Sequence, residues 1–273
     1  DADPFYPNAY FMVGEINTIN GRHDQAIQNF EKSFDLGDRV NSARYLAKVY
    51  TDLGDVEKAR YWLAQLPENV NTATTLTWQR ISHLVIEDKW PDAKKELKKL
   101  TEPKDDDSIR QQMDAVMANY FLEDFPAVIT AYERVSPEIS LDYNVVLKYD
   151  LLSNMTYAAY AYHEMERSAE VVKLIAQIRD VFQQYTEKGF RVKAEHWYLL
   201  GLLDVIEGNP EMAIVSLQRA VDQGWIVQWS MDVEPILRDL LHEPGFQGVR
   251  QSLNVRMRII KEQLAYHAKT AAL

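Results

Sequence analysis

Two stretches far apart in the chain, AEHWYLLGLLDVIEGNPEMAIVSLQRAV (194–221) and AYFMVGEINTINGRHDQAIQNFEKSF (9–34), follow the same pattern. In each stretch an aromatic residue lies three positions before an aliphatic–Gly pair, a second Gly follows seven residues later, and an Ala comes five residues after that. Self-similarity of this kind is typical of a supersecondary unit that is repeated along the chain. The two stretches therefore predict a repeat protein.

The Ala of DQAIQNF marks the same position in other parts of the sequence. Its counterparts divide the chain into steps of 33, 34, 35, 43 and 42 residues, and the markers are Ala26, Ala59, Ala93, Val128, Val171 and Ala213. Apolar residues around the markers recur with a helical period, whereas strand-like alternation is hard to find. The two long steps predict a fifth hairpin with longer helices, over about 143–164 and 168–187.

Small and turn-forming residues keep a fixed register relative to the markers, which generic helical hairpins would not require. Small residues stand where two helices must approach closely, at Gly14, Ala47, Ser82 and Gly201. Glycines that can adopt a positive φ end the first helices at Gly21, Gly54 and Gly208. Prolines fall in the first turn of second helices, at Pro91, Pro126 and Pro210.

The sixth unit carries this register most completely, with Trp197, Leu200 and Gly201 in its first helix and Gly208 and Ala213 beyond it. These residues resemble the motif of the tetratricopeptide repeat family, W-x2-L-G-x2-Y followed by G-x4-A-x3-F-x2-A. The resemblance implies an all-α fold, a right-handed superhelical array of about six helical hairpins closed by a C-terminal capping helical segment. The expected array covers 1–225, the cap covers 226–273, and the repeats lie near 7–39, 40–72, 75–107, 109–140, 143–187 and 192–223.

A second resemblance concerns the segment after the array, which carries Glu234-Pro235, Leu237, Leu240, Pro244 and Phe246. It is similar to the D-P-x-L-x-x-L-x-x-x-P-x-F segment that closes repeat arrays in bacterial signalling proteins, such as winged-helix regulators and class III nucleotide cyclases. This implies a sensory or regulatory module of a larger bacterial protein, with the periplasmic side of the inner membrane favoured over the cytoplasm. The chain begins with Asp1 and shows no signal-peptide layout, so we expect a piece of a longer protein.

Composition argues against several kinds of function. The formal net charge of −11 makes nucleic acid and anionic membrane surfaces poor direct partners, and no apolar run is long enough to cross a bilayer. The six histidines are isolated, and Asp105–Ser108 reads as the acidic start of a helix rather than as a calcium loop. We therefore expect no enzymatic activity in this chain, no catalytic residue, no metal and no cofactor, although an output domain could precede it.

A partner-binding surface is the better expectation. In the resembled family the first helices line a concave groove that binds a protein or peptide, and basic and amide side chains would meet a Met- and aromatic-lined middle here. Carried over, the groove residues are Asn41, Arg44, Lys48, Gln79, His83, Arg110, Met113, Met117, Tyr120, Tyr160, His163 and Tyr198. Three alternatives remain open. The face could pack against the chain's own neighbouring domain, or its aromatic residues could belong to the core because the register is off by one. The chain could also be a scaffold that forms a homodimer through exposed Trp225, Trp229 and the final helix.

Overall fold

The computed structural model describes residues 6–67, 73–102, 108–138 and 149–271, and these contain helices and no β-strand. Six helical hairpins follow one another, and three further helical segments close the chain. The hairpin helices are α1 (Pro7–Ile19), α2 (His23–Asp35), α3 (Arg39–Asp52), α4 (Val56–Leu63), α5 (Ala73–Ile86), α6 (Trp90–Leu97), α7 (Ile109–Leu122), α8 (Phe125–Val135), α9 (Tyr149–Glu164), α10 (Ser168–Glu187), α11 (Ala194–Ile206) and α12 (Pro210–Asp222). After them come α13 (Gln228–Val233), a 3-10 helix (Pro235–Leu240) and α14 (Pro244–Ala271). The all-α fold of helical hairpins is confirmed.

The turn between the two helices of each hairpin follows one rule. A residue with a left-handed backbone stands five positions before each marker, and these residues are Gly21, Gly54, Asp88, Glu123, Glu166 and Gly208, with φ between 57° and 75°. Glycine takes this conformation freely, whereas an acidic residue there costs about 1–2 kcal/mol. The third to fifth hairpins thus keep the turn without the glycine that signals it.

Close helix contacts explain the small residues of the repeat. A Cβ built on Gly14 would lie 2.5 Å from the Phe30 ring, and one built on Gly201 would lie 2.8 Å from Leu217 Cγ. All six marker side chains are buried. The register derived from the sequence is therefore the packing register of the hairpins.

The fifth hairpin is the longest, as the sequence predicts. Helix α10 runs over 20 residues, Ser168–Glu187, which are the bounds expected from the long repeat step. Helix α9 is described from Tyr149 to Glu164, and the part of its prediction over 143–148 lies outside the described residues.

The chain folds into two compact units that do not follow its linear order. Unit 1 comprises residues 1–88, 221–232 and 248–273, and unit 2 comprises residues 89–220 and 233–247. The predicted boundary at 225/226 follows from the repeat pattern and not from packing, so it stays a prediction. The handedness of the array also stays a prediction.

Within unit 1 the C-terminal part of the chain packs on the turn of the first hairpin. The Arg256 guanidinium donates to the carbonyl oxygens of Gly21 (3.0 Å) and Asp222 (3.3 Å). The buried His23 ring donates through Nε2 to the carbonyl of Gly224 at 2.7 Å, and burial lowers the pKa of this imidazole. Residues more than 200 positions apart thus form one local structure.

One expectation about this region is wrong. Trp225 is buried in unit 1 and Trp229 is half-buried, so these indoles do not form the exposed pair that a homodimer was expected to use. The large apolar surface of a Trp side chain favours burial. Residues 221–232 pack in the same unit as the first hairpin, and Trp225 is buried in the core of that unit.

Candidate functional site

Helix α3 presents the clearest polar surface of unit 1. Asn41, Arg44 and Lys48 recur at helical spacing on its exposed side, while Ala43 and Leu46 are buried on the other side. The helix begins at the Asp38 cap, whose carboxylate accepts hydrogen bonds from the Asn41 backbone N–H (3.3 Å) and side-chain amide (3.1 Å). The cap and the buried face together fix the direction of the exposed stripe.

The two cations of the α3 stripe differ in their surroundings. Lys48 Nζ lies 2.5 Å from Asp52 Oδ2 in an i,i+4 ion pair. Arg44 is exposed and forms no ion pair with any residue that the structure describes. A guanidinium in this state presents its planar set of N–H donors to solvent, where a carboxylate can accept two of them at once.

The predicted groove residues of α5 are turned toward α3. Thr51 Oγ1 lies 2.6 Å from Gln79 Oε1 and 3.0 Å from His83 Nε2. Gln79 stays partly accessible, but His83 is only 3% exposed, and burial lowers its pKa to about 4. The expectation that His83 faces a ligand is therefore wrong, because its ring is used to join two helices.

Unit 2 contains a buried carboxylate where the sequence predicted groove tyrosines. The hydroxyls of Tyr120 and Tyr198 donate to the two carboxylate oxygens of Glu234, the latter at 3.2 Å, and the Ile236 N–H donates to the Tyr120 oxygen at 3.3 Å. All three side chains of this cluster are 3% exposed or less. Burial raises the pKa of Glu234 to about 7, although the hydrogen bonds from the tyrosines favour its ionised form.

The segment that begins at Glu234 is held by apolar contacts and by one exposed ion pair. Leu237, Leu240 and Phe246 are buried, which accounts for the apolar positions of the C-terminal motif. Arg238 forms a bidentate pair with Glu123, with Nη2 2.6 Å from Oε1. Tyr120 and Tyr198 are consequently unavailable to a separate partner, and their assignment to a ligand groove is corrected to contact with the chain itself.

The other predicted residues of unit 2 remain at least partly accessible. Arg110 is exposed, 3.7 Å from the Asp150 carboxylate, and Met113 and Met117 are half-buried. Tyr160 is half-buried and stacks on exposed His163 with ring centroids 6.3 Å apart. Burial also raises the pKa of the Tyr160 hydroxyl, so this ring acts as a neutral donor.

A surface cleft of unit 2 was not predicted. It has a volume of about 620 Å³, and its wall includes His163, Val171, Val172, Ile175 and Arg179. Arg179 is held in place by Asp204 at 2.7 Å and by Glu207. The signal in the sequence was a second valine directly after the marker Val171. The structure shows that this residue, Val172, is exposed at the rim of the cleft.

The twelve predicted residues therefore differ in the unit to which they belong and in how exposed their side chains are. Five of them lie in unit 1 and seven in unit 2. The exposed members are Asn41, Arg44, Lys48, Arg110 and His163, the half-buried members are Gln79, Met113, Met117 and Tyr160, and the buried members are His83, Tyr120 and Tyr198. Partner binding by the accessible members stays a prediction.

No helix among the described residues has the length and apolar character that spanning a membrane requires. No three His, Asp or Glu side chains in this part of the chain are grouped as metal ligands would be.

Comparison with known proteins identifies the first hairpin. A tetratricopeptide repeat family model matches residues 7–36, which comprise α1 and α2. A solved structure, a tetratricopeptide repeat protein from Parabacteroides merdae ATCC 43184, is similar with 17% sequence identity and a TM-score of 0.47, over 86% of this chain and 85% of that chain. No curated protein sequence matches. The first hairpin is thus similar to a tetratricopeptide repeat, and arrays of such repeats generally bind proteins through extended surfaces.

Proposed function

We propose that this chain is a non-catalytic protein-binding module, and that the α3 stripe of unit 1 (Asn41, Arg44 and Lys48) binds an acidic segment of a partner protein. The observation that carries the proposal is the exposed Arg44 guanidinium, which has no ion pair among the described residues and is aligned with a second cation and an amide on one helix face.

The chemistry of the stripe suits a carboxylate with further polar groups beside it. Arg44 can form two parallel N–H···O bonds with one carboxylate, and the Asn41 amide can add a neutral hydrogen bond one helical turn away. Lys48 is paired with Asp52, so it would contribute only where a carboxylate of the partner comes close enough to share its ammonium group. The stripe is positive although the formal net charge of the chain is −11. An acidic segment of a partner is therefore favoured, because its charge is complementary to that of the stripe.

The buried cluster of unit 2 supports the same reading by analogy. There the chain presents a carboxylate, a proline and aliphatic residues to side chains of the repeat helices, and polar donors satisfy the carboxylate. A partner that docks on unit 1 would use a similar combination, an acidic group with apolar neighbours.

The test is a pull-down from an extract of the source cells with three forms of the chain. Arg44→Glu with Lys48→Glu reverses the stripe, whereas Arg22→Glu with Lys32→Glu makes the same change in net charge at exposed positions outside it. We expect the first pair to abolish recovery of the native partner and the control pair to retain it. Both should keep the wild-type melting temperature, because exposed charges contribute little to folding. Equal recovery with both pairs would contradict the proposal.

We further propose that the module belongs to a bacterial regulatory or signalling protein and lies on the periplasmic side of the inner membrane. The support is the resemblance of the segment from Glu234 to Phe246 to array-closing segments of such proteins. Fractionation of cells that express the native full-length protein would check this, and recovery in the cytosolic fraction alone would contradict it.

A further inference from the structure

Helix α10 forms one wall of the cleft in unit 2, which we call the α10 cleft. Val172, Ala176 and Arg179 stand at i, i+4 and i+7 on the same side of this helix and line the cleft. The methyl group of Ala176 between two larger side chains leaves a depression. Ile206, at the end of α11, and Asn209, in the turn that follows, belong to the rest of the wall. The volume of about 620 Å³ is within the range of about 300–1,000 Å³ that is typical of ligand-binding clefts.

The α10 cleft has an apolar floor and an apolar residue at its rim. Val171, Ile175 and Ile206 are buried. Val172 is 68% exposed, and no large hydrophobic side chain in the described ranges exceeds this fraction. Helix α8 packs on α9 and the 3-10 helix packs on α11, so the chain continues on both sides of this region and the cleft is not an open end of the array. A concave apolar surface of this kind is typical of binding sites.

Three polar side chains at the rim form no side-chain hydrogen bond with any other residue that the structure describes. They are the imidazole of His163, the hydroxyl of Ser168 and the amide of Asn209. Each of these groups can donate and accept hydrogen bonds. A polypeptide backbone offers N–H donors and C=O acceptors in alternation. The rim therefore suits the backbone of a peptide that lies across it.

The α10 cleft is open to solvent, which favours a peptide over a small molecule. Six of its ten lining residues are exposed. A small molecule usually has about 70–90% of its surface buried in its site, and an open cleft does not provide this. A peptide can place one side chain in the depression while the rest of its length continues along the surface.

The charge of the α10 cleft is negative although an arginine lines it. Arg179 pairs with buried Asp204 at 2.7 Å and with exposed Glu207. The Ser216 hydroxyl donates to the other oxygen of Asp204 at 2.9 Å, which fixes that carboxylate. One guanidinium thus serves two carboxylates and leaves one negative charge uncompensated. Glu207 is the member of this cluster that a partner can reach.

The two turns beside the cleft have the same sign of charge. The chain has three carboxylates and no cation over 204–211, and three Glu and two cations over 164–173. Those two cations are Arg167, which pairs with Glu170 at 2.5 Å, and Lys173, which also lies near Glu170 and does not line the cleft. A basic group of a partner is therefore attracted to this surface, and an acidic group is repelled.

We propose that the α10 cleft binds a peptide segment of a partner protein in which an aliphatic side chain stands beside a Lys or Arg. The aliphatic side chain packs on Val172 and enters the depression at Ala176, while the cation lies against Glu207. This site is in unit 2 and takes a basic segment, whereas the α3 stripe of unit 1 is proposed to take an acidic one. Either proposal can fail without the other.

The first experiment selects binders of the immobilised whole chain from a phage-displayed library of short random peptides. We expect peptides with an aliphatic–basic pair that are lost when the selection is repeated on Val172→Asp. The matched control is Val215→Asp, which makes the same change at an exposed valine of unit 2 outside the cleft and should retain them. Arg44→Glu with Lys48→Glu should also retain them, because the α3 stripe binds acidic peptides. A set of selected peptides that Val172→Asp leaves unchanged overturns the proposal.

The second experiment measures the dissociation constant of a selected peptide by fluorescence anisotropy. Val172→Asp should raise it at least about tenfold, as expected for a contact at the centre of an interface, and Val215→Asp should not. Unchanged melting temperatures of both variants exclude unfolding as the cause.

A charge test uses Glu207→Gln with two forms of the same peptide. This substitution should weaken binding of the peptide that carries its Lys or Arg by about two- to fivefold, because an exposed ion pair is lost. It should have no effect on a peptide in which that residue is replaced by Gln. An equal effect on both peptides, or tighter binding of an acidic peptide at Val172, overturns the proposal.

Discussion

Replacing Glu234 by Gln should make the protein more stable at alkaline pH and leave it nearly unchanged at acidic pH. The wild-type carboxyl is buried between Tyr120 and Tyr198, and burial raises its pKa from 4.5 to about 7. Because the folded state holds the proton more tightly, the stability contributed by this group is fully present below pH 4.5 and is lost as pH rises through about 7. Gln has the shape of the protonated acid and cannot ionise.

The size of the effect follows from the two pKa values. Between them the unfolding free energy falls by about 1.4 kcal/mol for each pH unit, which amounts to about 3 kcal/mol over the whole window. From about pH 5.5 to about pH 8, we expect Glu234→Gln to gain about 2 kcal/mol relative to the wild type. Other titrating groups change both proteins equally, so the difference between them isolates this carboxyl.

Urea denaturation followed by circular dichroism at several pH values measures the difference. Glu243→Gln, which removes an exposed carboxyl of the same segment and leaves the buried cluster intact, is the matched control. A Glu234→Gln difference that is constant from about pH 5.5 to about pH 8 would mean that the buried carboxyl stays ionised throughout, and the account of the cluster would be refuted.

Two further predictions concern packing in each unit. Gly201→Arg should destabilise the protein by about 3 kcal/mol or more, because it forces a charged side chain into a close helix contact. The control Glu211→Arg, at an exposed position, should change the melting temperature little. Equal melting temperatures for the two variants would show that the repeat register is wrong. Gly224→Ala should cost about 2–4 kcal/mol, since its Cβ would lie 2.3 Å from the Gly21 backbone at a φ of 111°. Gly37→Ala, at a φ of 118° but with nothing within 4 Å, should show only the backbone strain, and a loss equal to that of Gly224→Ala would rule out the close contact.

Only part of the predicted partner surface is accessible, and the reason is visible in two of its residues. Arg44 and Tyr120 were both assigned to the groove by their position in a first helix. Helical register decides which side of the helix a residue is on, and it placed Arg44 correctly on an accessible side. It does not decide what covers that side, and Tyr120 is covered by a segment 114 residues away.

The sequence by itself determined the repeat. A helical period, a small residue at each close contact and a marker in fixed register are local properties, because they depend on neighbours within one hairpin. The same left-handed turn occurs at Asp88, Glu123 and Glu166, where no glycine signals it, and at Glu123 and Glu166 the packing of α7 on α8 and of α9 on α10 holds the unfavourable backbone. Only the tertiary structure decided where residues 221–232 and 248–273 belong and what Glu234 contacts. Those contacts join positions more than 30 and up to more than 200 residues apart, and no periodic pattern specifies them, since they depend on which buried donor and acceptor groups meet when the whole chain is packed.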